Sequence, residues 1–261
     1  MKTKNEPINE KMFCALASEK SLAKDWNRKE EVKVWDRLSD EFDTYKENIF
    51  HGAADNIYTL WPILLSYIKK NIKGSSLRAL DFGCGTGMFC RELKILGFDT
   101  YGLDISPKMI DIAKAHLGKE IKFSVGDYKT ALKISKKSGK FDLITSIMVS
   151  QFVPDIQKCL NNLYNSLTDD GYLMFVVHNP KKLDERKIKT KLNVGETGKL
   201  VQIYKRDSKD YDKILRKVGF RKVLEKYPKT SRKFLKKYGQ KDSMKIPKYM
   251  LMVYKKTNSN S

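Results

Sequence analysis

The sequence predicts an α/β fold, a doubly wound and mostly parallel sheet preceded by a helical segment, and three observations predict it. Apolar runs of strand length alternate with helical periodicity from Leu77 to Pro180, the order expected when each parallel strand returns through a helix. The stretch "LRALDFGCGTGMFCREL" joins an apolar strand to a helix through a turn with three glycines, Gly83, Gly85 and Gly87. Asp104 and Asp127 end the next two strands, and the carboxyl ends of strands are where open α/β sheets bind ligands.

The elements follow in order. Residues 1–74 read as a helical lid. Met12, Phe13 and Leu16, with Leu22 and Trp26, make one apolar stripe, and Val34, Leu38 and Phe42 make another at i, i+4, i+8. A third helix is expected over Ile57–Ile72, with Pro62 tolerated in its first turn. Gly74-Ser75-Ser76 breaks the chain, and residues 75–261 form the core domain. Leu77, Ala79, Leu80 and Phe82 read as a buried parallel strand, and Phe89, Leu93 and Leu96 as the inner stripe of the next helix. "FDTYGLDI" is a strand, and "SPKMIDIAKAHL" a helix with Ser106 as cap and Pro107 in its first position. "IKFSVGD" and "FDLITSIMV" are strands, "DIQKCLNNLYNSL" a helix and "GYLMFVVHN" a further buried strand. Beyond Pro180 the alternation lapses into a basic elaboration over about 181–248. Residues 181–197 read as a polar loop or lid, "KLVQIYKR" as a strand and "DSKDYDKILRKVG" as a helix closed by Gly219. "FRKVLEKY" and "KYMLMVYKK" read as the last two strands, with a basic stretch, 229–248, between them.

The glycine turn carries the first chemistry. Glycine lets a ligand approach the main chain closely, and the first N–H groups of the following helix point at it. A dinucleotide pattern GxGxxG would need glycine at position 88, which is Met88. Asp81, two residues before Gly83, would repel a pyrophosphate and welcome a cationic amino-acid group. That points to S-adenosyl-L-methionine. Asp104, about twenty residues after the first glycine, can accept from both ribose hydroxyls, and Asp127, with Tyr128 beside it, from an adenine amino group.

The stretches "LDFGCGTG", "YGLDISPKMI", "VGD", "FDLITSIMVSQFVPD" and "LTDDGYLMFVVHNP" resemble the class I S-adenosylmethionine-dependent methyltransferases over roughly Leu77 to Pro180. The resemblance implies a Rossmann-like seven-stranded sheet whose last strand runs antiparallel. It places the methionine part of the cofactor in the turn Gly83-Cys84-Gly85-Thr86-Gly87, with Asp81 near its amino group and Ser146 and Ile147 beside it. It gives the ribose to Asp104, the adenine faces to Ile105 and Met109, and the adenine edge to Asp127 and Tyr128. "VWDRLSDEFDTY" further resembles the small-molecule subgroup related to ubiquinone and menaquinone biosynthesis methyltransferases, whose N-terminal helices close over the cofactor. Asn179 between His178 and Pro180, and Lys205 in place of a histidine, depart from a related motif set, so no substrate carries over.

Among three histidines, His178 ends the fifth strand and His51 follows the lid helices, so these two are the candidate bases for an acceptor proton. His116 reads as surface. Gln151 would orient the acceptor, Tyr45 would wall its pocket with Trp35 and Phe42, and Arg206 would meet an acidic substrate group. Cys14, Cys84, Cys90 and Cys159 show no metal-ligand spacing and read as thiols of a reducing cytoplasm. No signal peptide and no run of about 20 apolar residues is read.

Of the formal charge of +21, residues 181–261 supply 26 basic against 8 acidic side chains, whereas residues 1–180 hold 26 against 23. Such a patch attracts polyanions, but 43 lysines against 9 arginines argue against forked, sequence-reading contacts. Two enzymatic readings stand: a methyltransferase acting on an O or N atom of a small metabolite, and an RNA methyltransferase using the basic C-terminal third. A binding module that keeps only the fold is a third. Oligomeric state is not legible in the sequence.

Overall fold

A strand such as Phe141–Ile147 carries apolar side chains on both faces, so both must be covered. In the computed structural model they are: Phe141, Leu143, Ile144 and Thr145 are fully buried. The structure describes residues 28–40, 42, 43, 45, 51–182, 189–194, 199–239 and 246–257. The expected stripe from Met12 to Trp26 lies outside them.

Two helices, α1 (Arg28–Leu38) and α2 (His51–Asp55), precede a π turn at Asn56–Leu60 and helix α3 (Trp61–Asn71). The core then runs β1 (Arg78–Phe82), α4 (Met88–Ile95), β2 (Asp99–Asp104), α5 (Pro107–Leu117), β3 (Lys122–Val125), α6 (Tyr128–Ser138), β4 (Phe141–Ile147), α7 (Ile156–Ser166) and β5 (Leu167–His178). It continues through β6 (Lys189–Val194), β7 (Lys199–Tyr204), α8 (Ser208–Val218), β8 (Phe220–Lys226), α9 (Arg232–Lys237) and β9 (Tyr249–Lys256).

The main sheet has seven strands in the order β3-β2-β1-β4-β5-β9-β8. The pairs from β3 through β5 are parallel, and β9 runs antiparallel to both its neighbours. The parallel part is the doubly wound sheet that the alternation of strands and helices predicted, and the seven strands with a reversed last one are what the family resemblance implied. Side chains of α6, α7 and α8 cover one face, those of α3 and α4 cover the other, and α5 closes over Ile121 and Phe123 at the β3 side.

Several boundaries differ from expectation, each for a physical reason. The helix expected at Ile57–Ile72 begins at His51 and ends at Asn71, and it widens into the π turn just before Pro62. Pro62 has no N–H to complete the preceding turn, and a π turn absorbs that mismatch. Residues 181–197 are not all loop: β6 pairs antiparallel with β7 in a separate two-stranded sheet. "KTKLNV" holds two large apolar residues in six, too few to read as a strand. Helix α6 went unread because "YKTALKISKKS" is dominated by polar residues, and α9 lies inside the basic stretch 229–248.

Candidate functional site

The sheet topology brings the carboxyl ends of β1, β2, β4 and β5 to one edge, beside the start of the antiparallel β9. A cavity of about 480 Å³ opens there. Its wall takes Asp81, Gly83, Cys84, Gly85 and Thr86 from the first strand and its turn, and Asp104, Ile105 and Met109 from the second. Asp127 and Tyr128 come from the third, and Ile147, Gln151 and His178 from the fourth and fifth. These sequence-predicted residues therefore converge on one space.

The turn is shaped for an occupant. Gly83 has φ +78°, and a Cβ there would lie 2.1 Å from Val149 Cγ2, so only glycine fits. Gly85 has φ +54°, but a Cβ there would meet nothing within 4 Å, because its open side faces the cavity. Gly87 caps α4 and does not line the cavity; it packs against Phe123. The Gly85 N–H donates to Asp104 Oδ2 (2.9 Å), and Ser106 N–H donates to Asp104 Oδ1 (2.9 Å). The Asp104 carboxylate thus ties two strand-end turns together, and burial raises its pKa.

Asp81 is 3% exposed. Its Oδ1 accepts from Thr145 Oγ1 (2.7 Å) and its Oδ2 from Cys90 Sγ (3.7 Å). Burial pushes its pKa up from 3.8 to about 7, with the hydrogen bonds pulling the other way and Asp104 adding repulsion. Asp127 caps α6, accepting from the N–H groups of Lys129 (2.9 Å) and Thr130 (3.4 Å).

Helix α1 lies over this edge. Asp36 accepts from Ser106 Oγ (2.5 Å) and from the Lys108 N–H (3.3 Å), and Trp35 and Phe42 line the cavity while packing with Phe152 and Leu38.

Three further expected residues sit elsewhere. Tyr45 is not on the cavity wall: its ring stacks on His116 of α5 at 3.8 Å and 11°. Arg206 does not face the cavity either. Its guanidinium donates to the carbonyls of Ser150, Val153 and Pro154 and lies over the Tyr204 ring, bracing the loop after β4. Ser146 is fully buried, with its hydroxyl paired to Ser150 Oγ at 3.0 Å. His51 begins α2, and its side chain lies outside the described residues.

His178 does reach the wall, but its pKa is pushed down to about 3 by burial, assisted by Lys248 and opposed by Asp55. It is neutral at any ordinary pH and a weak base. The His178 N–H donates to Gln151 Oε1 (2.6 Å), and its ring stacks on Tyr249.

Sequence reasoning missed Asn56, Trp61, Lys248 and Tyr249, all on the wall, and Asp55 behind them. The available signal was the antiparallel last strand. If β9 reverses beside β5, its first residues must lie next to the end of β5, and His178 is indeed paired with Tyr249.

Comparison with known proteins agrees with this architecture. Residues 45–225 match the family described as "Methyltransferase domain". The chain is 30% identical over 160 residues to a ubiquinone biosynthesis O-methyltransferase of Pelagibacter ubique, covering 57% of this chain and 63% of that one. It is 29% identical over 127 residues to the protein of the same name in Coxiella burnetii, covering 48% and 53%. The matches thus span between half and two thirds of these relatives' length. A solved S-adenosylmethionine-dependent methyltransferase from Mesorhizobium loti superposes with a TM-score of 0.60 at 18% identity, over 79% of this chain and all of that one. One from Clostridium acetobutylicum does so with 0.58 at 15% identity, over 86% of this chain and all of that one. At these identities the likeness is one of fold. With its reversed seventh strand, its glycine turn and a family match across most of its length, the chain belongs to the methyltransferase-domain family.

Proposed function

We propose that the protein transfers a methyl group from S-adenosyl-L-methionine to an oxygen or nitrogen of a small metabolite. The observation that carries this reading is the pairing of Gly85, open toward the cavity, with the buried carboxyl of Asp81 on the same wall. The cofactor supplies a methyl group on a positively charged sulfur, already activated for transfer. The chain's own residues bind, orient and exclude water. Asp81 holds the amino group of the methionine part, Gly83 to Thr86 form its cradle, Asp104 takes the ribose, and Ile105, Met109, Asp127 and Tyr128 surround the adenine. Trp35 and Phe42 close over the opening as part of a helical lid, and positioning supplies the main acceleration.

A metabolite is favoured over RNA because the wall is built largely of apolar and aromatic side chains and the similar relatives are named for ubiquinone biosynthesis. Among the described residues no helix is long and apolar enough to cross a membrane.

Calorimetry with S-adenosylhomocysteine tests the cofactor site, and methyl-labelled donor with fractionated extract tests the acceptor. Saturable binding and label in a small-molecule fraction are expected. Absence of binding overturns the reading, and label confined to RNA at low salt, lost as salt rises, replaces it with the RNA alternative.

A further inference from the structure

Strand order divides the cavity. Asp104 and Asp127 close β2 and β3 on one side of β1, whereas His178 closes β5 and Lys248 precedes β9 on the other. Three groups on that second side have no part in holding a nucleoside: Lys248, Gln151 and Asn56.

Lys248 is held by construction. The Asn179 N–H donates to the Lys248 carbonyl (2.9 Å), and Asn179 Nδ2 donates to the Pro247 carbonyl (2.9 Å). The Lys248 ammonium donates to Asp55 Oδ2 at 2.9 Å. Asp55, 2% exposed, also accepts from Tyr249 Oη (2.7 Å) and Thr59 Oγ1 (2.6 Å). A buried carboxylate with three donors is a rigid anchor, so the cation is fixed at the wall. Gln151 is 2% exposed, and because its Oε1 receives the His178 N–H, the orientation of its amide is set. Its Nε2 is then a buried donor with no hydrogen-bond partner among the described residues. Asn56 Oδ1, on the π turn, is a buried acceptor in the same condition. Buried polar atoms left unmet are costly, and here two of opposite kind belong to residues of the same cavity wall that carries a fixed ammonium.

We propose that this end of the cavity recognises an acidic acceptor, with Lys248 and Gln151 Nε2 donating to its carboxylate or phenolate oxygen and Asn56 Oδ1 accepting from a neighbouring hydroxyl or N–H. The proposal rests on the methyl-transfer reading above and names its substrate class. Trp35, Trp61 and Phe89, also on the wall, flank the apolar body of such a molecule. The neutral His178 ring adds no second cation and no strong base. None is needed where an oxygen binds already as its anion, its proton having gone to solvent.

The test uses 3-phenylpropionate and 3-phenylpropionamide, which differ in charge and little in shape. Each is titrated into the enzyme loaded with S-adenosylhomocysteine, with tryptophan fluorescence as readout. The acid is expected to bind at least about tenfold more tightly than the amide. The double variant Asp55→Asn/Lys248→Met, which leaves no unpaired buried carboxylate, is expected to bring the two within about twofold while keeping its affinity for S-adenosylhomocysteine. Gln151→Leu is expected to weaken the acid alone. Equal binding of the two probes, no detectable binding of either, or a preference that survives the double variant overturns the proposal. Failure of S-adenosylhomocysteine itself to bind overturns the methyl-transfer reading instead.

Discussion

Asp81 sets the pH behaviour expected of the site. Its pKa is raised in the folded protein, from 3.8 to about 7, so between those values the folded state holds a proton that the unfolded state has released. Stability therefore falls as pH rises from about 4 to about 7 and then levels. Denaturant titrations at pH 5 and pH 8 should show this fall in wild type and lose most of it in Asp81→Asn. Ligand binding has the opposite slope. An ammonium group needs the carboxylate, so affinity for S-adenosylhomocysteine should climb by up to about tenfold per pH unit below 7 and flatten above it. Calorimetry across that range checks both the slope and the released proton. Asp104→Ala should weaken the same binding by at least about 1–3 kcal/mol. Asp104→Asn, which can still accept from the Gly85 or Ser106 N–H, should retain more of the turn. His178, with its pKa near 3, should leave no inflection in a turnover profile between pH 5 and 9, and His178→Ala should reduce turnover while sparing cofactor affinity. At this scale the sequence showed the acids well, since residue type and strand-end position were both visible. It could not show that Arg206 would turn to main-chain carbonyls or that Lys248 would occupy the wall, because both depend on contacts across 50 residues or more.

Among elements, the glycine turn and the π turn make the sharpest contrast. The turn was legible because φ above zero and an open cradle demand glycine at fixed spacing. Gly83→Ala should destabilise the fold by several kcal/mol, since its Cβ would overlap Val149 in a backbone region that L-residues avoid. Gly85→Ala should cost the fold only about 1–2 kcal/mol yet abolish cofactor binding by filling the cradle. Thermal melts paired with S-adenosylhomocysteine titrations separate the two effects. The π turn was not legible, because Pro62 alone signals only a helix start. The same holds for β6, whose residues carry too little apolar alternation. Asp127→Ala should cost about 1 kcal/mol through loss of the α6 cap, whatever it does to the ligand.

For the whole molecule, the parallel, doubly wound arrangement was readable because each buried run had to be covered on two faces, and helices were the available cover. The placement of β9 was readable only in outline; its register beside β5, from Tyr172–Lys255 to His178–Tyr249, depends on pairing between segments far apart in the chain. That placement has a kinetic corollary. The strand made last in the domain is inserted between two made earlier, β5 and β8. During synthesis both must wait with unpaired edges until Lys256 clears the ribosomal exit tunnel, and an open edge is an invitation to aggregation. A nascent chain stalled with Tyr249–Lys256 still inside the tunnel should therefore recruit chaperones and resist compaction, and a C-terminal linker long enough to bring β9 out of the tunnel should release it.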